Sequence, residues 1–483
     1  MIHIHEESAR CLLCDNAPCG AKASRAIRAL RFDNHWTAAT LFNEMSDEEL
    51  LQAEKACIHY DRPIRIAELK KAVSQSNSKL STLNSQLSIS FCGIPCENPF
   101  FLASSAICTN YEMVARALEA GWGGVFYKTI CKQDIVEVSP RFDAVGKEGS
   151  SFIGFRNMEQ LSENPYEMDF DILRRLKQNY PTKVIVASIM GQTEEEWVEL
   201  AKMAENAGCD AVELNFSCPQ MKMTGMGSDV GQNPELVLFY TSFVKRAVKI
   251  PVIPKMTPNI ASMTQAALAV FFGEGDGISA INTIKSITMS PLSEVNHKKT
   301  VSGYSGKAVK PIALRFILDI VQHRIVYNVT KDKPIEVSGI GGIETWRDAL
   351  EFMQLGCRNV QVCTAVMQYG YRIIDDLIDG MKHYLTERGL DSIEAIVGEE
   401  VPNFVLPSDL DRDTMVFPTI NREKCIGCGR CYISCSDGGH QAITFGPDRK
   451  PHIVGTKCVG CHLCRLVCPS HAIGVANRVP KIK

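Results

Sequence analysis

No run of about 18 apolar residues, the length needed to cross a bilayer, occurs in this chain of 483 residues. The N-terminus has neither the basic flank nor the apolar core of a signal peptide. Net charge is small as well, because 52 Lys and Arg residues oppose 55 Asp and Glu residues for a formal charge of −3. These absences predict a cytoplasmic protein without an electrostatic preference for nucleic acid or an anionic membrane surface.

Aromatic residues are only 7% of the chain, but the hydrophobic fraction of 45% and the charged fraction of 22% are ordinary for a globular protein. A fibrous or disordered chain is therefore excluded, and the length predicts roughly three domains. The unusual residue is cysteine, with 20 copies. Because cytoplasmic thiols stay reduced, these cysteines indicate metal ligation rather than disulfides.

Eight cysteines near the C-terminus form a duplicated motif. The two runs are Cys425-x2-Cys428-x2-Cys431-x3-Cys435 and Cys458-x2-Cys461-x2-Cys464-x3-Cys468-Pro469. This spacing is typical of bacterial two-cluster ferredoxins, in which the fourth cysteine of each run binds the other cluster; a pair of zinc sites is the alternative. We therefore predict two [4Fe-4S] clusters, the first on Cys425, Cys428, Cys431 and Cys468 and the second on Cys458, Cys461, Cys464 and Cys435.

A second group of cysteines lies near the N-terminus, as Cys11-x2-Cys14-x4-Cys19 followed by the remote Cys57. Helix-like periodicity from Ser24 to Leu69 would allow Cys57 to fold back onto the first three. By spacing alone these residues could bind an iron–sulfur cube or a zinc ion, or pack as core thiols. We expect His3 and His5 to be solvent-exposed rather than ligands.

The middle of the chain alternates short apolar runs with helical segments, which predicts an α/β fold with a (β/α)8 barrel. A doubly wound sheet is disfavoured because no Gly-x-Gly-x-x-Gly follows the first run. The predicted strands are Phe100–Ala103, Gly124–Tyr127, Val184–Ser188, Ala211–Leu214, Val252–Lys255, Gly277–Asn282, Ile335–Ser338 and Asn359–Val362. The predicted division of the chain is a helical N-terminal domain (1–72), a Ser/Asn/Gln-rich linker (73–87), the barrel (88–395) and the ferredoxin-like domain (396–483).

Polar residues and glycines follow the C-terminal ends of these strands, where barrel enzymes place their chemistry. Gly341, Gly342 and Thr364 suit a phosphate held by backbone amides, and Lys128 and Lys255 add positive charge. A phosphorylated cofactor on a chain with iron–sulfur motifs indicates a flavin.

Four segments carry a resemblance to a known family: Asn215-Phe216-Ser217-Cys218-Pro219, Ala280-Ile281-Asn282-Thr283, Ser305-Gly306-Lys307-Ala308 and Gly341-Gly342-Ile343. Together with the ferredoxin repeat, they resemble the FMN- and iron–sulfur-containing part of dihydropyrimidine dehydrogenases, in particular the pyrimidine-binding subunit of the bacterial two-subunit form. The barrel is similar to dihydroorotate dehydrogenases. The resemblance extends from about residue 88 to the end and implies reversible reduction of the C5–C6 double bond of uracil or thymine.

The resemblance also implies roles for individual residues. Cys218 would be the general acid that protonates the pyrimidine. The pyrimidine ring would be hydrogen-bonded by Asn157, Glu159, Asn215, Ser217, Asn282 and Thr283. FMN would be held by Ser104, Lys128, Thr129, Lys255, Gly306, Gly341, Gly342, Cys363 and Thr364. The Met- and Gly-rich segment from Met221 to Gly231 is expected to be a mobile lid.

The N-terminal run Cys11-Leu12-Leu13-Cys14-Asp15-Asn16-Ala17-Pro18-Cys19 resembles the amino-terminal cluster motif of the single-chain form of this enzyme. The resemblance implies a third [4Fe-4S] cluster on Cys11, Cys14, Cys19 and Cys57. A second N-terminal cluster of that enzyme is expected to be lost, because Ala23 stands where its motif continues with cysteine.

The single-chain enzyme has an FAD- and NADPH-binding module that is absent between residues 70 and 88. A separate NAD(P)H- and FAD-dependent flavoprotein subunit is therefore expected, in a hetero-oligomer or a dimer-containing assembly. Two alternatives stay open at this point. One is a flavin reductase of another cyclic imide, enone or orotate-like substrate, and the other is a non-catalytic electron-transfer subunit.

Overall fold

A computed structural model describes residues 4–59, 61–73, 84–146, 153–218, 226–289, 294–295, 298–322 and 335–481. The chain divides into two compact units, one up to Pro402 and one from Asn403. Residues 74–83 of the predicted linker lie outside the described residues. Within the part of the chain that is described, we find no helix with the length and apolar character needed to span a membrane.

The first unit begins with a small group of helices. They are α1 (Ile4–Arg10), α2 (Ala21–Arg31), α3 (His35–Asn43), α4 (Asp47–Lys55) and α5 (Ile66–Val73). The apolar residues of α2 recur at helical spacing and are buried, among them Ala23, Ile27 and Leu30. A capping box between Ser46 and Glu49 starts α4.

Eight parallel strands of the first unit form a closed barrel, with neighbours in chain order around the ring. They are β3 (Phe100–Leu102), β4 (Gly124–Phe126), β7 (Val184–Ile189), β8 (Ala211–Asn215), β9 (Val252–Lys255), β10 (Gly277–Ala280), β15 (Glu336–Ile340) and β16 (Cys357–Val362). Each predicted strand is present, although β10 ends two residues earlier than expected. The prediction of a (β/α)8 barrel is confirmed. The strands could be recognised in the sequence because strands buried on both faces form short apolar runs; all six residues of β7, for example, are buried.

Helices alternate with the barrel strands and pack around them. They are α6 (Tyr111–Ala120), α7 (Tyr166–Asn179), α8 (Glu194–Asn206), α9 (Ser228–Gly231), α10 (Pro234–Ala247), α11 (Thr264–Phe272), α12 (Lys310–Val321), α13 (Trp346–Gln354), α14 (Thr364–Tyr369) and α15 (Ile374–Glu387). Side-chain caps define several starts; Asn110 and Thr193, for example, accept from backbone amides three residues ahead.

A four-stranded antiparallel sheet is inserted after two of the barrel strands. It consists of β5 (Phe142–Val145), β6 (Gly154–Asn157), β11 (Ile284–Ser286) and β14 (Ser302–Ser305), in the order β11-β14-β6-β5. Shorter pairs are the hairpin β1 (Ile89–Phe91) with β2 (Ile94–Cys96), and β12 (Glu294–Val295) with β13 (Lys298–Lys299). The larger sheet positions Asn157 and Ser305 toward the site described below.

The N-terminal helices pack against α15 of the barrel. Arg28 Nε lies 2.6 Å from Asp376 Oδ2, and Asn34 Nδ2 donates to the Asp376 carbonyl at 2.7 Å. Trp36 stacks on His383 with ring centroids 4.8 Å apart. These contacts place the N-terminal cysteines on the same unit as the barrel.

The second unit has internal two-fold character, as its duplicated sequence predicts. Two short helices, α16 (Arg430–Gly438) and α17 (Leu463–Leu466), are combined with two antiparallel pairs. The pairs are β17 (Thr414–Ile420) with β20 (Ile473–Pro480), and β18 (Ile443–Phe445) with β19 (Pro451–Ile453). Its small core is built largely of cysteines, including Cys431, Cys435 and Cys464.

Candidate active site and metal centres

A cavity of about 1110 Å³, counted to its open mouth, opens at the C-terminal ends of the barrel strands in the first unit. Every residue predicted to bind substrate or FMN lines it except Ser217, which is fully buried beside it. The lining residues that were predicted are Ser104, Lys128, Thr129, Asn157, Glu159, Asn215, Cys218, Lys255, Asn282, Thr283, Gly306, Gly341, Gly342, Cys363 and Thr364. These residues come from all parts of the barrel sequence and meet in one place.

A chain of hydrogen bonds crosses one wall of the cavity. Asn215 Nδ2 donates to Thr129 Oγ1 at 2.8 Å, and Ser217 Oγ donates to Asn215 Oδ1 at 2.7 Å. Asn282 Nδ2 in turn donates to Ser217 Oγ at 2.7 Å, while its Oδ1 accepts from the Thr283 amide at 2.7 Å. Because both ends of each amide are engaged, the network determines how Asn215 and Asn282 are oriented.

The lysines of the cavity are all beside carboxylates. Lys128 Nζ contacts Glu159 Oε1. Lys128 is expected to bind FMN and Glu159 the pyrimidine, so this ion pair connects the two predicted binding sites. Lys255 Nζ lies 3.5 Å from Glu213 Oε1, and Lys307 Nζ lies 3.7 Å from Glu344 Oε2. Among the described residues, the cavity therefore has no lysine without a neighbouring acid.

Sequence reasoning missed Glu213, which lies under the cavity. Glu213 is fully buried on β8, accepts from Ser188 Oγ at 2.9 Å and pairs with Lys255. A glutamate inside the otherwise apolar run Ala211–Leu214 was a usable signal, since buried carboxylates are rare unless paired. The finding means that the charge of Lys255 is partly balanced from within the barrel.

Gln361 on β16 was also missed. Its side chain is buried, donates to Ser338 Oγ at 2.8 Å and to Ser279 Oγ at 3.1 Å, and lines the cavity. Its Oε1 is buried without a hydrogen-bond partner among the described residues. An unsatisfied buried acceptor beside a cavity indicates a ligand with a donor at that position, and the N–H of a flavin ring is such a donor.

Another part of the cavity is formed by exposed backbone. Gly341 and Gly342 have φ values of +128° and +76°, and a Cβ on Gly342 would lie 2.8 Å from the Lys310 amide nitrogen. Ser305 Oγ and Thr364 Oγ1 lie 2.9 Å apart at the same place. Bare amides beside two hydroxyls form a cradle that suits a phosphate group, so the residues present fit FMN.

Of the two cysteines of the cavity, Cys218 is buried and Cys363 is half-buried. Cys218 is 6% exposed, and its carbonyl accepts from the Ser228 amide at 2.9 Å. Burial raises the pKa of the Cys363 thiol, whose Sγ lies 3.1 Å from Ser105 Oγ. Residues 219–225, and with them the first five residues of the predicted lid, lie outside the described residues.

The predicted metal ligands gather around three cavities of similar size. The N-terminal cavity, of about 380 Å³, is lined by Cys11, Cys14, Cys19 and Cys57. In the second unit, one cavity of about 340 Å³ is lined by Cys425, Cys428, Cys431 and Cys468, and one of about 360 Å³ by Cys435, Cys458, Cys461 and Cys464. The fourth cysteine of each C-terminal run thus lies with the other run, as the spacing predicts.

In none of the three described cysteine groups do three sulfurs lie as close together as in an occupied zinc site. Four sulfurs bound to zinc at about 2.3 Å lie only about 3.8 Å apart. Among the described residues, no three cysteine sulfurs lie within 4.8 Å of one another. The amides of Leu13, Ala442 and Ala472 donate to Cys11, Cys435 and Cys468 at 3.5, 3.3 and 3.3 Å, a contact that stabilises cluster thiolates.

Burial raises the pKa of Cys19 and of Cys464 to about 11, with further increases from neighbouring sulfurs. Binding of a metal releases the protons of its cysteine ligands, so it works against this increase in pKa.

Two family models match the sequence. A dihydroorotate dehydrogenase model matches residues 86–385, and a 4Fe-4S dicluster domain model matches residues 418–475. The first 85 residues, which contain the N-terminal cysteines, lie outside both matches.

Curated relatives agree with these models. The NAD-dependent dihydropyrimidine dehydrogenase subunit PreA of Escherichia coli (strain K12) is 54% identical over 394 residues, spanning 80% of this chain and 94% of that protein. The chloroplastic dihydropyrimidine dehydrogenase (NADP(+)) of Arabidopsis thaliana is 36% identical, over 67% of this chain and 79% of that protein. The catalytic subunit of dihydroorotate dehydrogenase B (NAD(+)) of Pyrococcus furiosus is 35% identical, over 65% of this chain and 98% of that protein.

Proposed function

The chain belongs to the dihydroorotate dehydrogenase family, and we propose that it is the pyrimidine-reducing subunit of an NAD(P)H-dependent dihydropyrimidine dehydrogenase. It would reduce the C5–C6 double bond of uracil or thymine reversibly. The observation that carries the proposal is the hydrogen-bonded chain from Thr129 through Asn215 and Ser217 to Asn282, beside the thiol of Cys218.

The cavity supports a neutral pyrimidine over orotate. Asn157, Asn215 and Asn282 offer amide groups that can match the alternating donors and acceptors of an imide ring. Orotate carries a carboxylate, which would require a cation that is not already paired. Because Lys128, Lys255 and Lys307 all lie beside acids, that requirement is not met by the lysines of the cavity.

FMN is held in this proposal by residues on both sides of the cavity, and when bound it supplies or accepts a hydride at C6 of the pyrimidine. Ser104, Lys128, Thr129, Lys255 and Cys363 would surround the ring system, with the unsatisfied Oε1 of Gln361 as a further acceptor. Gly306, Gly341, Gly342 and Thr364 would hold the phosphate through backbone amides and a hydroxyl.

The protein's own contribution to catalysis is to orient the ring and to move a proton. Hydride addition at C6 builds negative charge on the pyrimidine carbonyl, and amide donors in a water-poor cavity stabilise such charge. Cys218 would donate its thiol proton to C5 and then be reprotonated from solvent. General acid catalysis of this kind contributes about 10²–10⁴-fold to a rate.

Three [4Fe-4S] clusters would relay electrons. The C-terminal pair uses the two exchanged quartets of cysteines, and the third uses Cys11, Cys14, Cys19 and Cys57. The third cluster is supported by an N-terminal cavity that is close in volume to the two C-terminal ones and, like them, lined by four cysteines.

Electrons would come from a separate FAD- and NAD(P)H-binding subunit. The sequence has no Gly-x-Gly-x-x-Gly after the first barrel strand, and the E. coli relative is named a subunit of an NAD-dependent enzyme. If the purified chain alone oxidised NADH or NADPH as fast as it reduced uracil, the proposal of a partner would be wrong.

The substrate is tested with the anaerobic, dithionite-reduced holoprotein and four compounds: uracil, thymine, orotate and 2-cyclohexenone. We expect dihydrouracil and dihydrothymine by chromatography, with neither dihydroorotate nor cyclohexanone above background. Orotate differs from uracil by one carboxylate and is the matched control for the paired lysines. Faster reduction of orotate or of the enone than of uracil would reject a pyrimidine base as the substrate. If no product formed and uracil caused no change in the flavin spectrum, the chain would instead be a non-catalytic electron-transfer subunit.

A further inference from the structure

A group of three potential metal ligands lies at the start of the chain, outside the cavities described above. His5 is on α1, Asp33 is in the turn between α2 and α3, and His35 is the first residue of α3. Asp33 Oδ1 lies 3.8 Å from His5 Nδ1 and 3.8 Å from His35 Nε2. Among the described residues this is the one set of three His, Cys, Asp or Glu ligand atoms within 4.8 Å of one another.

The spacing of these atoms fits a shared ion better than direct hydrogen bonds. A distance of 3.8 Å between a ring nitrogen and a carboxylate oxygen is too long for a hydrogen bond. A point equidistant from the three atoms lies at most about 2.5 Å from each, close to the zinc–nitrogen and zinc–oxygen distances of about 2.0–2.2 Å. Small side-chain rotations would close this difference.

Asp33 is held in place by contacts that leave Oδ1 facing the histidines. Arg347 Nε lies 3.0 Å from the other oxygen, Oδ2, and Trp346 Nε1 donates to the Asp33 carbonyl at 3.4 Å. Asp33 also has a φ of +66°, a conformation that Asp tolerates better than most residues. Outer contacts of this kind orient the ligands of metal sites.

We propose that His5, Asp33 and His35 bind one Zn²⁺ ion, at a site separate from the iron–sulfur clusters. Two imidazoles and a carboxylate form a common set of zinc ligands, and the exposure of His5 leaves a coordination position open to water. This proposal departs from the expectation from sequence that His5 is exposed rather than a ligand; its two partners, Asp33 in the α2–α3 turn and His35 at the start of α3, are about 30 residues away in the chain. Because α1 leads directly into Cys11, the ion would fasten the first cysteine of the N-terminal group to the α2–α3 turn.

The proposal is tested by titrating the anaerobic holoprotein with Zn²⁺ in a calorimeter, after a chelator wash that leaves its iron content unchanged. We expect about one Zn²⁺ per chain, with affinity at least 10-fold weaker in His5→Gln and in His35→Gln. The His452→Gln variant is the matched control, because His452 lies 3.0 Å from Asp448 but its pair has no third ligand within 4.8 Å among the described residues. This variant should bind Zn²⁺ as the parent does.

X-ray absorption at the zinc edge identifies the ligands independently of the variants. Nitrogen and oxygen neighbours at about 2.0–2.2 Å, without sulfur, support the site. Sulfur neighbours at about 2.3 Å would mean that zinc occupies the cysteines, and this result would overturn the proposal. Equal Zn²⁺ affinity in the parent and in correctly folded His5→Gln protein would also overturn it; the exposure of His5 makes this substitution compatible with folding.

Discussion

Asn282 donates a 2.7 Å hydrogen bond to Ser217, although 65 residues separate them in the chain. Ser217 in turn donates to Asn215 at the end of β8, so one serine hydroxyl connects the amides that follow two different barrel strands. A side chain that does not itself line the cavity thereby determines the orientation of two that do.

Replacing Ser217 with Ala removes this connection. The Asn282 amide nitrogen loses its buried acceptor, at a cost of about 1–3 kcal/mol, while the Asn215 carbonyl oxygen keeps only the Ser217 backbone amide, 3.2 Å away. Because both amides are proposed to bind the pyrimidine ring, we expect the KM for uracil to rise about 10-fold, with a smaller change in kcat. Steady-state kinetics on Ser217→Ala measures this, and Ser262→Ala, at an exposed serine, is the control. An unchanged KM would show that the hydroxyl does not position the substrate.

Replacing Cys218 tests the proposed proton donor. We expect Cys218→Ala to lower kcat by about 10²–10⁴-fold while FMN content and uracil binding are retained. Cys218→Ser should keep part of the activity, because a hydroxyl can also donate a proton, although less readily than a thiol. Cys131→Ala is the control, since burial raises the pKa of this nearby thiol to about 11 and it does not line the cavity. More than half of the parental kcat in Cys218→Ala would remove the residue from the mechanism.

The buried pair of Lys255 and Glu213 should stabilise the barrel only as a pair. Lys255→Met leaves the Glu213 carboxylate buried without its cation, which we expect to lower the free energy of unfolding by about 3–5 kcal/mol. The double variant Lys255→Met/Glu213→Gln should recover most of that loss. Denaturant unfolding with FMN content measured on the same samples tests this. Lys132→Met, in a more exposed pair with Glu199, should cost less than about 1 kcal/mol.

Cys57 should be required for about one third of the iron. Three four-iron clusters correspond to about twelve iron atoms per chain, and Cys57→Ser should reduce this number to about eight. Cys92→Ser is the control, because Cys92 lines none of the three cysteine cavities. The measurement is the iron-to-FMN ratio of anaerobically purified protein. A parental ratio of eight, or no decrease in Cys57→Ser, would reject the third cluster.

The contact between the N-terminal helices and the barrel should weaken in acid. Burial lowers the pKa of His383, which stacks on Trp36, to about 4 from an ordinary 6.5. As pH falls from 6.5 toward 4, the unfolded imidazole is protonated before the folded one, so stability is lost in that window, by about 3 kcal/mol in total. Above pH 6.5 the histidine has no such effect.

Hydrogen exchange in α3 and α15 at pH 7 and pH 5 measures this change. After correction for the slower intrinsic exchange at pH 5, lower protection at pH 5 than at pH 7 is expected in the parent, and a smaller change in His383→Gln, which cannot be protonated. An equal pH effect in both proteins would assign the acid sensitivity to carboxylates rather than to His383.

The sequence by itself determined the architecture of the barrel and the grouping of the C-terminal cysteines. Parallel strands buried on both faces are largely apolar, so all eight are visible as short runs such as Val184–Ser188. The cysteine runs are equally readable, because the three close ligands of a cluster come from one turn of the chain. Polar residues after the strands indicated the cavity, since parallel strands end at one face of a barrel.

Tertiary structure alone decided which of these residues touch. Three features depend on segments that are distant in sequence: Lys128 pairs with Glu159, Glu213 lies beside Lys255, and the side-chain oxygen of Gln361 is buried without a hydrogen-bond partner among the described residues. The same holds for His5 beside Asp33 and His35, and for Trp36 on His383. Local patterns report burial and backbone conformation, whereas contacts between side chains depend on how separate elements pack, and no short-range pattern encodes that packing.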